Sequence, residues 1–245
     1  MTENIKDALQ YAVELSNNET LIITDNNGKE WFDVNRHNLK ELIPKRYYPK
    51  PLHLSTLKSL SDYYKANNDG IRDKKTIVVI ETPTRVAVYS YNDDMEVRSE
   101  LLLVQADVPN IEYGQFLKSE FFNIMLQSRF VNGNDRELLL DYASKISIEN
   151  GADIVDDGAS QVTTIRSGVA NKTKGKAPNP VSLAPYRTFV EVTQPYSDFV
   201  FRINKDGQMA LFEADGGSWK NEAKGNIMKY LLIKLDKFQN VTILA

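Results

Sequence analysis

The sequence predicts an α+β fold in which antiparallel β-sheets, built as meanders and hairpins, are covered by amphipathic helices in two lobes. Three observations carry this. Strand-like runs at 75–81, 85–91 and 96–105 follow one another across short turn sequences, the signature of a meander rather than of alternating β and α units. Helical periodicity brackets these runs, near 2–17, 56–65, 113–130, 135–146 and 218–235. With 42% hydrophobic and 26% charged residues among 245, the chain has ample material for a core and an ordinary globular surface.

In chain order, Thr2 is an N-cap followed by Glu3, and Ile5, Leu9, Ala12 and Val13 fall at helical spacing up to Asn17. Residues 21–24 and 29–34 flank Asp25-Asn26-Asn27-Gly28, a tight-turn sequence that predicts a β-hairpin. A short helix over 38–43 stops at Pro44. Ser55 caps a helix over 56–65 that carries Leu57, Leu60, Tyr63 and Tyr64 and breaks at Asn67-Asn68-Asp69-Gly70. In the meander, Thr82-Pro83-Thr84 and Asn92-Asp93-Asp94 supply the turns, and the unbroken apolar run from Ile77 to Ile80 predicts a strand covered on both faces.

Phe116, Leu117, Phe121, Ile124 and Met125 spread beyond one stripe and predict a sandwiched helix. After Asn132-Gly133-Asn134 a second helix places Leu138, Leu139, Tyr142 and Ile146 inward, and so short a turn predicts a helical hairpin. Alternation of Thr188, Val190 and Val192 with Phe189, Glu191 and Thr193 predicts a strand ended by Gln194-Pro195. Phe199, Phe201 and Ile203, then 208–214, predict a hairpin around Asn204-Lys205-Asp206-Gly207. Glu213 shares a face with Leu211, and an extended continuation brings Asp215 alongside it. Gly217 allows a sharp turn, and Ser218 caps a last helix with Trp219, Ala223, Ile227, Tyr230, Leu231 and Leu235 on its apolar face, before a strand over 241–244. The expected lobes are 1–110 and 111–245 of one compact unit; sheet followed by helices at both 75–130 and 185–237 permits a duplication.

Composition excludes several kinds of chemistry. The absence of cysteine removes disulfides, thiol catalysis and cysteine-ligated metals, and fits a reducing compartment. No leader-like start and no run approaching a membrane span is present, so a cytoplasmic protein with no membrane partner is expected. His37 and His53 lack serine and acid partners for nucleophilic catalysis, and no phosphate-binding loop or dinucleotide fingerprint occurs. A net charge of −3 gives no global attraction to nucleic acid, so any such partner must be met by a local patch.

Two patches qualify. Residues 34–61 carry Arg36, Lys40, Lys45, Arg46, Lys50 and Lys58 against Glu41 alone, with Tyr47 and Tyr48 beside the bases; cations for phosphates and rings for unpaired bases suit a single-strand surface. The plainer reading is a proline-bounded connector with packed tyrosines and solvated lysines. Residues 158–190 contain no acid and carry Arg166, Lys172, Lys174, Lys176 and Arg187; the middle, GVANKTKGKAPNP, reads as an exposed mobile loop or a long hairpin tip, and as a candidate nucleic-acid finger. Glu191, Glu213, Asp215 and Lys220 are the weak catalytic candidates, as carboxylates and a lysine near a strand end suit a Mg²⁺-dependent nuclease. Their plainer reading is ion pairing between strands, Glu191 with Arg187 or Arg202, and Asp215 near the positive end of a helix.

The order VSLAPYRTFVEVTQPYSDFVFRI, then ALFEADGGSWKNEA, then a closing amphipathic helix resembles the YfdQ-like family of uncharacterised proteins of bacteriophages and prophages. The resemblance is most specific over 181–232 and includes Pro185, Tyr186, Arg187, Phe189, Glu191, Gln194, Pro195, Phe201, Arg202, Glu213, Asp215 and Trp219. It implies a phage or prophage origin and the cytoplasm of a bacterial host, and it assigns no catalytic residue. The expected function is a non-catalytic accessory protein that assists phage DNA metabolism, in replication or recombination, by binding nucleic acid through its basic patches, with no cofactor. One alternative is an inhibitor or sequestering protein that binds a host defence protein or signalling ligand. The other is the nuclease, the only reading that requires Mg²⁺.

Overall fold

Local signals set most element boundaries, while pairing between distant segments builds the sheets. The computed structural model describes residues 3–17, 22–33, 39–41, 50–93, 96–147, 153–156, 161–167, 171–176 and 179–245. They fall into two compact units, Met1–Tyr48 and Pro49–Ala245.

The first unit holds α1 (Glu3–Asn17) and a three-stranded antiparallel sheet of β1 (Ile22–Thr24), β2 (Glu30–Asp33) and β3 (Leu39–Glu41), in that order. Asp25 closes the β1–β2 turn: its carboxylate accepts hydrogen bonds from the backbone N–H of Asn27 (2.8 Å) and Lys29 (3.0 Å) and from the Trp31 indole (3.2 Å). The helix expected over 38–43 is instead β3, with Leu39 opposite Asp33 and Glu41 opposite Trp31. So short a segment cannot meet the cost of helix nucleation, whereas the open edge of β2 offers ready backbone partners.

In the second unit, β4 (Leu52–Leu54), β5 (Thr76–Thr82), β6 (Arg85–Ser90), β7 (Glu100–Gln105) and the C-terminal β14 (Val241–Leu244) form one sheet in the order β14-β5-β6-β7-β4. The central meander is antiparallel as expected, and both outer strands pair parallel to it. Two helices, α2 (Leu57–Ala66) and α5 (Trp219–Leu235), pack over the face bearing Val78, Ile80, Val86, Val88, Leu102 and Val104. On α5 the buried positions are Ala223, Ile227, Leu231 and Leu235, one clean stripe. Coverage of the second face is partial among the described residues: Ile77 and Val79 are half-buried, whereas Ala87 and Leu103, in line with Val79, are buried. That second face continues into polar chemistry, where Tyr89 and Arg85 both donate to the Glu81 carboxylate (2.7 and 2.5 Å).

The second core lies under α3 (Ser119–Arg129) and α4 (Asn134–Ser147), which pack as the expected hairpin against β11 (Val181–Leu183), β12 (Ser197–Ile203) and β13 (Met209–Glu213). Phe199, Phe201 and Ile203 alternate into it with Met209 and Leu211. Phe122, Met125 and Leu126 form the buried side of α3, while Phe121 and Ile124 are 60% and 54% exposed, so α3 is not sandwiched. Leu138, expected inside, is likewise exposed, and Ala143, one turn after the buried Leu139, is buried.

A separate three-stranded antiparallel sheet, β10-β9-β8, comprises β8 (Asp153–Asp156), β9 (Gln161–Ser167) and β10 (Asn171–Lys176). The middle of the segment expected as a loop or a hairpin tip is instead a strand, Asn171–Lys176, paired with β9; residues 168–170 lie outside the described residues.

Candidate functional site

The segment expected as a strand over 188–193 is an irregular loop between β11 and β12. Its alternation misleads because one side chain replaces a strand partner. Gln194, 6% exposed, accepts hydrogen bonds from the backbone N–H of Arg187 (3.0 Å) and Thr188 (3.2 Å) and donates to the carbonyls of Phe189 (3.0 Å) and Val192 (3.3 Å). With its backbone satisfied in this way, the loop drives Phe189 into the core under α2 and α5 and leaves Val190 70% exposed.

The same loop buries Arg187, which is 7% exposed. Its guanidinium donates to Glu213 Oε1 (3.0 Å) and to Ser197 Oγ and lies over the Trp219 ring, 3.8 Å from the centroid. Ser197 in turn donates to Asp215 Oδ2 (2.7 Å). Asp215 closes the network by accepting from the backbone N–H of Gly217 (3.0 Å) and Trp219 (3.3 Å). It, rather than Ser218, caps α5, since the Ser218 side chain makes no capping bond. Gly217 adopts φ +82°, the left-handed conformation this turn requires.

Burial works to raise the Asp215 carboxyl, but the bonds from Ser197, Gly217 and Trp219 and the charge of Arg187 outweigh it, and its pKa falls below the ordinary value of 3.8. Burial lowers the pKa of Arg187, opposed by Tyr113, Glu213 and Asp215; an arginine stays protonated throughout. The Tyr113 hydroxyl, pushed up by burial, lies against the Arg187 guanidinium, and it and Arg187 Nε are both buried without a hydrogen bond of ordinary geometry. Tyr113 stacks on Phe199 with centroids 5.5 Å apart.

Of the catalytic candidates, the structure brings Glu213 and Asp215 together, as the strand register implied. Lys220 lies close by, its Nζ 6.0 Å from the Trp219 centroid. Glu191 is elsewhere engaged: its Oε1 accepts from Lys58 N (3.1 Å), adding a distant cap to α2, whose local cap is Thr56 rather than Ser55. The ion pair expected between Glu191 and Arg187 is replaced by Arg187–Glu213. Among the described residues no group of three His, Asp or Glu is placed to hold a metal ion. A buried guanidinium already occupies the space between Glu213 and Ser197, where a cation would be repelled. Chemically the arrangement is a clamp that ties β12, β13 and α5 to the loop.

The basic candidates sort differently. Arg36, Lys45, Arg46, Tyr47 and Tyr48 lie outside the described residues, as does His37. On the small sheet the register sets Lys172 opposite Arg166, Lys174 opposite Thr164 and Lys176 opposite Val162. Residues at alternate strand positions share a face, so Lys172, Lys174, Lys176 and Arg166 all fall on one. Asp153, opposite Thr164, is the acid assigned to that face, which leaves it net +3 from four bases and one acid. Lysines on an edge strand such as β10 also deter edge-to-edge pairing. That role does not explain Arg166, which sits on the central strand.

No family model, no curated protein and no solved structure matches this chain.

Proposed function

We propose that this protein binds nucleic acid non-catalytically through its phosphate backbone, using the basic face of the β8–β10 sheet. The observation that carries this reading is the β9–β10 register, which collects Arg166, Lys172, Lys174 and Lys176 on one side. Alternate residues on a strand recur about every 7 Å, close to the rise of two phosphates along one strand of duplex DNA, about 3.4 Å each. A β-ribbon also has the width to enter a major groove. No aromatic residue lies on β8, β9 or β10, so stacking on unpaired bases is not supplied here, and duplex is the favoured form. Phosphate contacts position without reading sequence, so the binding is sequence-tolerant. The resemblance of 181–232 to phage and prophage proteins supports an accessory role in phage DNA metabolism in the bacterial cytoplasm. The test is fluorescence anisotropy with a labelled duplex. Replacing Lys172, Lys174 and Lys176 together by glutamine abolishes most of the affinity if the reading holds, and leaves it unchanged if it fails.

The alternative of a protein that binds and inhibits a host protein is favoured by one observation. Phe121 and Ile124 on α3 and Leu138 on α4 are each more than half exposed. If that surface carries the function, Phe121→Asp with Ile124→Asp leaves duplex binding intact and abolishes retention of the host partner.

A further inference from the structure

A cavity of 410 Å³ opens beside β4, lined by Lys50, Leu52, Tyr63, Asp69, Ile71, Lys74 and Leu101. The volume lies within the range of small-molecule sites. Its walls are built by the break after α2, where Asn67, Asp69 and Gly70 take φ of 56°, 56° and 62°. Asn67 is the left-handed C-cap of α2, and Asn, Asp and Gly are the residues that adopt this conformation most readily, so the break is a sharp turn fixed by the sequence. It sets the Asp69 carboxylate to accept from the Tyr63 hydroxyl (2.6 Å) and the Asp69 carbonyl to accept from Lys74 Nζ (2.7 Å).

The lining keeps both unused donors and unused acceptors, and its charge is in excess on the cationic side. The one acid is engaged by Tyr63, whose hydroxyl is pushed up to about 12, first by burial and then by that bond, and so stays neutral. Lys74 uses one of its three N–H donors on the Asp69 carbonyl. Lys50 is exposed and has no partner among the described residues. Two cations against one acid leave the lining net positive, with unused donors. Leu52, Ile71 and Leu101 supply the rest of the wall, and Ile71 is 2% exposed, so that part of the wall is fixed by the core.

The geometry points to a binding site for a small organic anion whose body packs against aliphatic side chains, the chemistry of a nucleoside monophosphate or an aromatic carboxylate. Lys50 and Lys74 take the anionic group, and the body lies against Leu52, Leu101 and Ile71. The site is independent of the basic ribbon, and either can be present without the other.

Calorimetric titration of the full chain with adenosine monophosphate, benzoate, adenosine and inorganic phosphate tests this. Saturable binding of adenosine monophosphate or benzoate is expected, and which of the two is tighter separates a phosphate from a carboxylate ligand. Lys50→Gln weakens that binding at least about tenfold, as loss of one charge-assisted hydrogen bond requires. Because Lys50 is exposed and has no partner among the described residues, circular dichroism of the variant matches the parent. Side-chain NMR shifts on the unmutated chain provide a second readout, with changes confined to Tyr63, Ile71 and Leu101. The inference is overturned if neither anion binds, if adenosine or inorganic phosphate alone binds as tightly, or if Lys50→Gln has no effect.

Discussion

Replacing Arg187 by alanine tests whether the Arg187–Glu213–Ser197–Asp215 network is a structural clamp. Three interactions disappear together. The bond to Glu213 falls at the low end of charged hydrogen bonds, about 1 kcal/mol, because the Glu213 side chain is 42% exposed and rehydrates. Ser197 loses an incoming bond worth about 1 kcal/mol but keeps its own donation to Asp215. Loss of the guanidinium from the Trp219 ring, 3.8 Å away and largely desolvated, removes about 1–2 kcal/mol more. The expected destabilisation is about 3–4 kcal/mol, in the range for breaking a buried ion pair. Urea unfolding followed by circular dichroism reads this as a midpoint lowered by about 1.5–2 M for a slope of about 2 kcal/mol/M. Arg187→Lys keeps the charge but neither the fork nor the flat stacking, and recovers only part of the loss. A midpoint within about 0.3 M of the parent for Arg187→Ala would refute the clamp.

Two further outcomes follow from the same region. The Asp215 carboxyl has a folded pKa below its ordinary value, so its contribution is fully present above about pH 4 and is lost as the pH falls from there through the folded pKa. Asp215→Asn is therefore less stable than the parent at pH 7, and thermal melts across pH 2–7 show the gap closing only at the acid end. Gln194→Ala leaves two N–H groups and two carbonyls of the loop without their partner and costs about 2–4 kcal/mol. Gln194→Glu is at least as damaging at pH 7, because an oxygen then faces the Phe189 and Val192 carbonyls; equal thermal stability of Gln194→Glu and the parent would contradict this assignment.

Elements governed by local chemistry were legible. The meander 75–105, the hairpins closed by Asp25–Gly28 and Asn204–Gly207, and the helices α1, α2, α4 and α5 correspond to turn residues and periodicity acting within about ten positions. Long-range pairing was not legible: β4 and β14 join the meander in parallel from segments about 50 and 165 residues away, and β11 pairs with β12 across the loop. The loop itself failed the strand expectation because a single amide, Gln194, performs the work of a neighbouring strand, which no alternation rule registers. At the candidate sites, strand parity correctly placed Glu213 beside Asp215. It could not reveal that Arg187 would lie between their partners, or that Glu191 would cap a helix 133 positions away. The cavity was hidden for the same reason, although Asn67-Asn68-Asp69-Gly70, a run tolerant of positive φ, marked its wall.

The salt dependence of duplex binding tests the proposed function most directly. Each neutralised phosphate contributes about −0.9 to the slope of log K against log salt, so the four bases of the ribbon predict a slope of about −3.6 or steeper. That slope corresponds to a loss of about 150-fold in affinity between 50 and 200 mM salt. Neutralising Lys172, Lys174 and Lys176 reduces the slope by about 2.7, whatever other bases contribute. A parent slope near zero, or one that the triple substitution leaves unchanged, would contradict the ribbon as the nucleic-acid surface.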